Sequence, residues 1–90
     1  MKNALRSWTG NIEAFALKVS EVIREIGRPE EGEPSIRLIR DYMQRDILGD
    51  LDRKGREVEF RYEHLLRFIA ARVLLSDGWP LSKIQEQLAA

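Results

Sequence analysis

Apolar residues recur at three- and four-residue spacing in four stretches of the chain, and this spacing predicts four helices. The first helix is predicted over residues 12–26, between a capping Asn11 and a terminating Gly27. The third is predicted to begin near Glu63 and to end at Asp77-Gly78, and a short fourth helix follows it. Because the third helix is apolar over more than half of its circumference, we expect it to run through the centre of the core.

The second predicted helix, from Ser35 to about Leu48, is amphipathic. Ser35 follows a proline and can cap the amino end, and Gly49 lies where the helix would stop. Its apolar face carries Ile36, Ile39, Met43 and Ile47. Its opposite face carries Arg37, Arg40, Asp41 and Gln44. We therefore expect one face to pack against the core and the other to be available for a partner.

Residues 49–60 have the pattern of a short β-hairpin with a basic tip. Gly55 suits a tight turn, and Val58 and Phe60 alternate with charged residues after it. The turn is surrounded by the basic residues Arg53, Lys54 and Arg56. The predicted fold class is mainly α, a winged helix-turn-helix of about four helices with a short two-stranded β-hairpin wing. We expect residues 1–11 to form a flexible or loosely packed lead to a domain over residues 12–90.

Composition limits the chemistry that this domain can carry. The chain has 90 residues, of which 43% are hydrophobic and 33% charged, as is typical of one small folded domain. Without cysteine it has no disulfide and no thiolate metal site, and its one histidine, His64, has no ligand partner at metal-binding spacing. No phosphate loop, nucleophile elbow or acid-base pair is present. We therefore expect no enzymatic activity, no cofactor and no small-molecule site, and a cytoplasmic location away from membranes.

The distribution of charge matters more than its total, which is zero. Residues 35–56 carry six basic and four acidic side chains, whereas the segments before and after each carry one more acidic than basic side chain. Charges are screened beyond roughly 8 to 10 Å at ordinary salt, so binding to phosphates needs a local basic surface rather than a basic protein. We expect weak binding of nucleic acid by one copy, and self-association or cooperative binding where higher affinity is needed.

Three segments, in this order along the chain, carry a resemblance to a known family. The first is Ile39-Arg40-Asp41-Tyr42, and the second is Phe60-Arg61-Tyr62-Glu63-His64-Leu65-Leu66. The third is Asp77-Gly78-Trp79-Pro80-Leu81-Ser82-Lys83-Ile84. From about residue 35 to 88 the chain resembles the DNA-binding domain of the MerR family of bacterial transcription regulators.

This resemblance implies sequence-specific binding of double-stranded DNA by a transcriptional regulator, or by its DNA-binding domain, in association with the nucleoid. The helix over residues 35–48 would enter the major groove, and the wing over 49–60 would lie on the flanking backbone. Arg40 and Tyr42 match family positions that hold the DNA backbone. Base contacts are expected from Ser35, Arg37 and Gln44. Contacts with flanking phosphates or the minor groove are expected from Arg53, Lys54 and Arg56.

The chain also departs from the family pattern. An acidic loop over residues 28–34 replaces the family's tight turn, and Asp41 stands where the first of two tyrosines is usual. Simpler roles remain open: Arg37 can pair with Asp41 along the helix, and Tyr42 can pack its ring while its hydroxyl reaches solvent. Two other functions also remain open. One is a protein-interaction module that uses apolar surface such as Trp8, and the other is a DNA-bending accessory factor of a mobile element.

Overall fold

The computed structural model describes residues 6–28 and 33–89. Seven elements follow one another in this part of the chain: β1 (Thr9–Gly10), α1 (Ile12–Glu25), α2 (Ile36–Gln44), β2 (Asp52–Lys54), β3 (Glu57–Arg61), α3 (Tyr62–Ser76) and α4 (Leu81–Ala89). The three strands form one antiparallel sheet in the order β1-β3-β2. The domain is therefore small and mainly helical, with the four helices that the sequence predicts and one strand more than it predicts.

Helix α1 begins and ends as its sequence predicts. Asn11 Oδ1 accepts a hydrogen bond from the amide of Ala14 at 2.9 Å, which satisfies one of the free amides of the first turn. Gly27 has a φ of 81°, and the amide of Arg28 then donates to the carbonyl oxygen of Ile23 at 3.0 Å. This pair of features is a Schellman ending, for which glycine is the favoured residue.

Helix α2 ends four residues earlier than predicted, at Gln44 instead of Leu48. Asp46 has a φ of 58°, and the amide of Ile47 donates to the carbonyl oxygen of Tyr42 at 3.1 Å. The helix thus closes with a Schellman ending in which an aspartate occupies the position usual for glycine. This turn places Ile47 and Leu48 in the core although neither belongs to the helix.

The loop between α2 and β2 contains Gly49, which was expected to end the helix. Gly49 has a φ of 80°, and a Cβ atom there would lie 3.3 Å from the guanidinium carbon of Arg67. The Arg67 guanidinium also donates to the carbonyl oxygen of Ile47 at 3.4 Å. The glycine therefore serves the close approach of a side chain from α3 and does not serve as a helix cap.

Within residues 6–11, the described part of the predicted flexible or loosely packed lead, Arg6, Ser7 and Thr9 are exposed and Trp8, Gly10 and Asn11 are partly buried. Thr9–Gly10 form β1, which pairs with the end of β3. The Trp8 ring lies 6.3 Å from the Phe15 ring and packs against the core. A Cβ on Gly10 would approach the Trp8 ring to 2.8 Å, so glycine is required for this packing. Residues 1–5 lie outside the described residues.

The core lies between α1, α3 and the sheet. Phe15 stacks on Phe60 of β3 with ring centroids 4.4 Å apart, and it meets Phe68 of α3 edge-on at 5.6 Å. Helix α3 runs along this core and is not enclosed by it, because Leu66 on its outer side is 52% exposed. The buried apolar residues are Phe15, Ala16, Val19, Ile23, Ile39, Tyr42, Ile47, Leu48, Phe60, Leu65, Phe68, Ala71 and Ile84.

The predicted hairpin is confirmed, with β2 paired to β3 through a two-residue loop of Gly55 and Arg56. Gly55 has a φ of 68°, a conformation that glycine adopts without steric cost at the first position of such a loop. The hairpin is tied at its base by an ion pair between Asp52 and Arg61. Among the described residues, no helix has both the length and the apolar character needed to cross a membrane.

Candidate nucleic-acid interface

The exposed side of α2 carries polar side chains without protein partners. Arg37, Arg40 and Gln44 are exposed, and none of them forms a hydrogen bond or salt bridge within the described part of the chain. Asp41, a possible partner of Arg37 by sequence spacing, instead accepts from Nε of Arg45 at 3.0 Å. Among the described residues, the guanidinium groups of Arg37 and Arg40 on α2 therefore have no partner and are available to a ligand.

Ser35 fixes the start of α2 and is already partly used. Its Oγ accepts a hydrogen bond from the amide of Leu38 at 3.0 Å, which confirms the predicted cap. The side chain is exposed, so the hydroxyl proton remains free to donate one hydrogen bond. A contact from Ser35 to a base or a phosphate is compatible with its capping role.

A groove of about 410 Å³ separates α2 from the β2–β3 hairpin. It is lined by Asn11, Ile12 and Glu13 from the start of α1, by Arg40, Met43 and Gln44 from α2, and by Arg56, Glu57, Val58 and Phe60 from the hairpin. The fold thus brings together Arg40, Gln44 and Arg56, which the sequence predicted as site residues from two separate segments. We call this feature the helix–hairpin groove.

Arg37 lies beside the helix–hairpin groove and not within it. With Arg40 and Gln44 it surrounds a second, shallower concave surface on the outer side of α2. Arg40 and Gln44 border both surfaces, so the two are continuous across the exposed face of the helix. A ligand broad enough to cover α2 would contact all three side chains.

The three basic residues of the hairpin take different positions relative to the helix–hairpin groove. Arg53 is exposed and is the cross-strand partner of Val58, but its side chain does not line the helix–hairpin groove. Lys54 is paired with Glu57 in the register and borders a neighbouring concave surface, between the hairpin and β1. Of the three predicted wing contacts, only Arg56 lines the groove.

Tyr42 does not stand where a residue that binds phosphate must stand. Its side chain is 2% exposed, and its ring lies 4.9 Å from that of Phe68. The hydroxyl is buried and has no hydrogen-bond partner among the described residues. The expected backbone contact is therefore wrong for this folded domain. The alternative expectation was correct for the ring and wrong for the hydroxyl, which does not reach solvent.

The sequence did not reveal that the start of α1 would join this site. Asn11, Ile12 and Glu13 line the groove because β1 pairs with β3 and holds the amino end of α1 beside the hairpin. A two-residue strand has no alternating pattern, so no local signal marks this long-range pairing. Glu57 was likewise not predicted as a site residue.

His64 has a structural role at the other side of the hairpin. The side chain is 1% exposed, and its Nδ1 accepts from the amide of Arg61 at 2.8 Å. Its Nε2 lies 2.8 Å from the carbonyl oxygen of Asp50, and the two contacts together assign the ring proton to Nε2. Both nitrogens are thus engaged, and among the described residues no three histidine or carboxylate side chains are arranged to hold a metal ion.

The chain was compared with family models, curated protein sequences and solved structures. No family model, no curated protein sequence and no solved structure matches the chain. The function is therefore inferred from the chemistry of the helix–hairpin groove and of the exposed face of α2.

Proposed function

We propose that this domain binds double-stranded DNA, with α2 in the major groove and the β2–β3 hairpin on the flanking backbone. It would act as a MerR-like transcriptional regulator, or as the DNA-binding part of one. The proposal rests on the exposed guanidinium groups of Arg37, Arg40 and Arg56, which lie along one continuous surface and form no ion pair within the described part of the chain. Guanidinium groups bind phosphates and guanine edges through two parallel hydrogen bonds.

The dimensions and the order of the elements support this proposal. An α-helix with its side chains is about 10 to 12 Å in diameter, and the major groove of B-DNA, which is about 12 Å wide, admits one. The order of these elements, two helices and then a basic hairpin, is the order found in a winged helix-turn-helix. The hairpin stands beside α2 across the helix–hairpin groove, so one DNA segment can contact both.

The test is a fluorescence-anisotropy titration of a labelled random-sequence duplex pool with the domain at 50 mM salt. Arg40→Ala and Arg56→Ala should each weaken binding several-fold, because each removes a charge that faces the DNA backbone. The matched control is Arg24→Ala, which removes an exposed positive charge near the far end of α1, about 16 Å along the helix from Glu13. The control should bind like the unsubstituted domain.

Two results would reject the proposal. One is the absence of saturable binding by a domain that circular dichroism shows to be folded. The other is an equal loss of affinity in Arg24→Ala and Arg40→Ala, which would mean that the binding responds to total charge and has no defined site.

A protein-interaction module is the second candidate function, favoured by exposed apolar side chains. Leu17, Ile26 and Leu66 are each at least 50% exposed. Trp8, the residue expected to serve such a partner, packs against the core instead. Leu66→Glu should leave DNA affinity unchanged if DNA is the ligand, since α3 contributes nothing to the groove. A protein partner that docks on α3 would be lost with this substitution.

A further inference from the structure

The helix–hairpin groove contains carboxylates as well as guanidinium groups. Glu13, in the first turn of α1, and Glu57, at the start of β3, line it together with Arg40 and Arg56. Both glutamates are exposed, and neither forms a salt bridge within the described part of the chain. The four side chains that carry the charge of the groove therefore sum to zero.

This arrangement contrasts with the ion pairs elsewhere in the domain. Asp41 binds Arg45, and Asp52 binds Arg61, so those carboxylates are neutralised by neighbours and present little net charge. Glu57 is paired with Lys54 in the register of the hairpin, yet no salt bridge joins the two side chains. The two groove glutamates thus keep their charge facing the space that a ligand would occupy.

An unpaired carboxylate in a DNA-binding surface disfavours one class of contact and permits another. It repels a phosphate, and like charges across an interface lower affinity for every sequence alike. A base edge, in contrast, offers amino groups, and a carboxylate can accept a hydrogen bond from the N4 amino group of cytosine. A groove that carries both carboxylates and guanidinium groups therefore lowers the affinity for the DNA backbone more than it lowers the affinity for a sequence whose bases match the groove.

On the basis of the proposed DNA-binding function, we infer that Glu13 and Glu57 are specificity-determining residues. They weaken general phosphate contact at the helix–hairpin groove, so that stable binding depends on base contacts from α2. Each glutamate also has a structural alternative. Glu13 interacts favourably with the positive end of the α1 dipole, and Glu57 faces Lys54 across the hairpin. Those roles affect stability and do not change the ratio of affinities for two DNA sequences.

The experiment compares Glu13→Gln, Glu57→Gln and the double variant with the unsubstituted domain, at 50 mM salt. Two probes are used: a labelled random-sequence duplex pool, and the duplex that the unsubstituted domain enriches most from that pool. Each substitution should raise affinity for the pool about two- to fivefold, the range expected for one exposed charge interaction. The double variant should gain about four- to twenty-five-fold, the product of the two single gains. Affinity for the enriched duplex should rise less, so the ratio of the two affinities falls.

The matched control is Glu86→Gln, which neutralises an exposed glutamate on α4, outside the groove. It should leave both affinities within about twofold of the unsubstituted domain. An equal gain in Glu86→Gln would overturn the inference, because the effect would then follow net charge and not position. Thermal unfolding of every variant separates loss of folding from a change in binding.

The outcomes distinguish this inference from the function on which it rests. If Arg40→Ala weakens binding while Glu13→Gln and Glu57→Gln change neither affinity nor the ratio, the inference is wrong and DNA binding stands. An increase that is equal for the pool and the enriched duplex also overturns it, since specificity is then unaffected. If neither the unsubstituted domain nor the folded double variant binds DNA, both the inference and the proposed function fail.

Discussion

The ring and the hydroxyl group of the buried Tyr42 side chain have opposite effects on stability. Its ring contributes to the aromatic core beside Phe68, but its hydroxyl is buried and has no hydrogen-bond partner among the described residues. A buried hydroxyl without a partner costs about 1 to 3 kcal/mol relative to a satisfied one. The ring therefore stabilises the fold, while the oxygen atom opposes it.

Tyr42→Phe should leave the free energy of unfolding unchanged or raise it by up to about 2 kcal/mol, because it removes only the unsatisfied hydroxyl. Tyr42→Ala, which also removes the ring, should lower it by about 3 to 5 kcal/mol. Urea denaturation followed by circular dichroism measures both. Tyr42→Phe should also bind the duplex pool like the unsubstituted domain. A loss of DNA affinity in this folded variant would instead restore the phosphate contact expected from the sequence.

Three of the four helices end in the same way, and one of them does so without glycine. In α1 and α3 the left-handed residue is Gly27 or Gly78, whereas in α2 it is Asp46, with a φ of 58°. Aspartate tolerates this conformation better than most residues, but it has a steric cost that glycine avoids. The turn at Asp46 directs Ile47 into the core and so fixes the angle at which α2 lies on the domain.

Asp46→Gly should raise the free energy of unfolding by about 0.5 kcal/mol, because it removes the steric cost of the left-handed conformation. Asp46→Val should lower it by about 1 to 2 kcal/mol, because a β-branched residue fits this conformation poorly. The matched control is Asp46→Asn, which removes the charge and keeps tolerance for a positive φ. Thermal unfolding of the unsubstituted domain and the three variants gives the order of their stabilities. Equal stability of the valine variant and the unsubstituted domain would contradict the assigned ending of α2.

The elements that the sequence predicted are those with a strong local signal. Helix α1 has both a capping asparagine and a terminating glycine, and the hairpin has a glycine at its turn and alternation after it. The end of α2 was misplaced because its signal is an aspartate, which is common in many other contexts, while Gly49 nearby serves a different contact. Strand β1 was missed because it has two residues and is defined by its pairing with β3.

At the scale of the whole molecule, the site depends on contacts between distant parts of the chain. Arg40, Gln44 and Arg56 could be predicted individually, since exposed basic and amide side chains mark the polar sides of a helix and a turn. Their meeting in one groove, and the presence of Glu13 there, follow from the packing of β1, α1 and the hairpin. The burial of Tyr42 likewise follows from where α3 passes, which no local pattern gives.

The neutral net charge predicts a shallow dependence of DNA affinity on salt. If about three or four phosphates are neutralised, the logarithm of the association constant should fall with a slope near −3 against the logarithm of salt concentration. Affinity would then drop roughly 40- to 150-fold between 50 and 200 mM salt. Anisotropy titrations at four salt concentrations measure this slope. Arg56→Ala should make it shallower by about one, whereas Arg24→Ala should not change it.

An NMR titration of the ¹⁵N-labelled domain with a short duplex, following every backbone amide, would locate the DNA-binding surface directly. If DNA binds across the helix–hairpin groove, the largest shifts should fall on α2 and on the hairpin from Arg53 to Val58, with smaller shifts at the start of α1. The outer side of α3 around Leu66 should remain unchanged. Shifts that cluster on α3, or no shifts at a duplex excess in low salt, would contradict the assignment of the helix–hairpin groove as a DNA-binding surface.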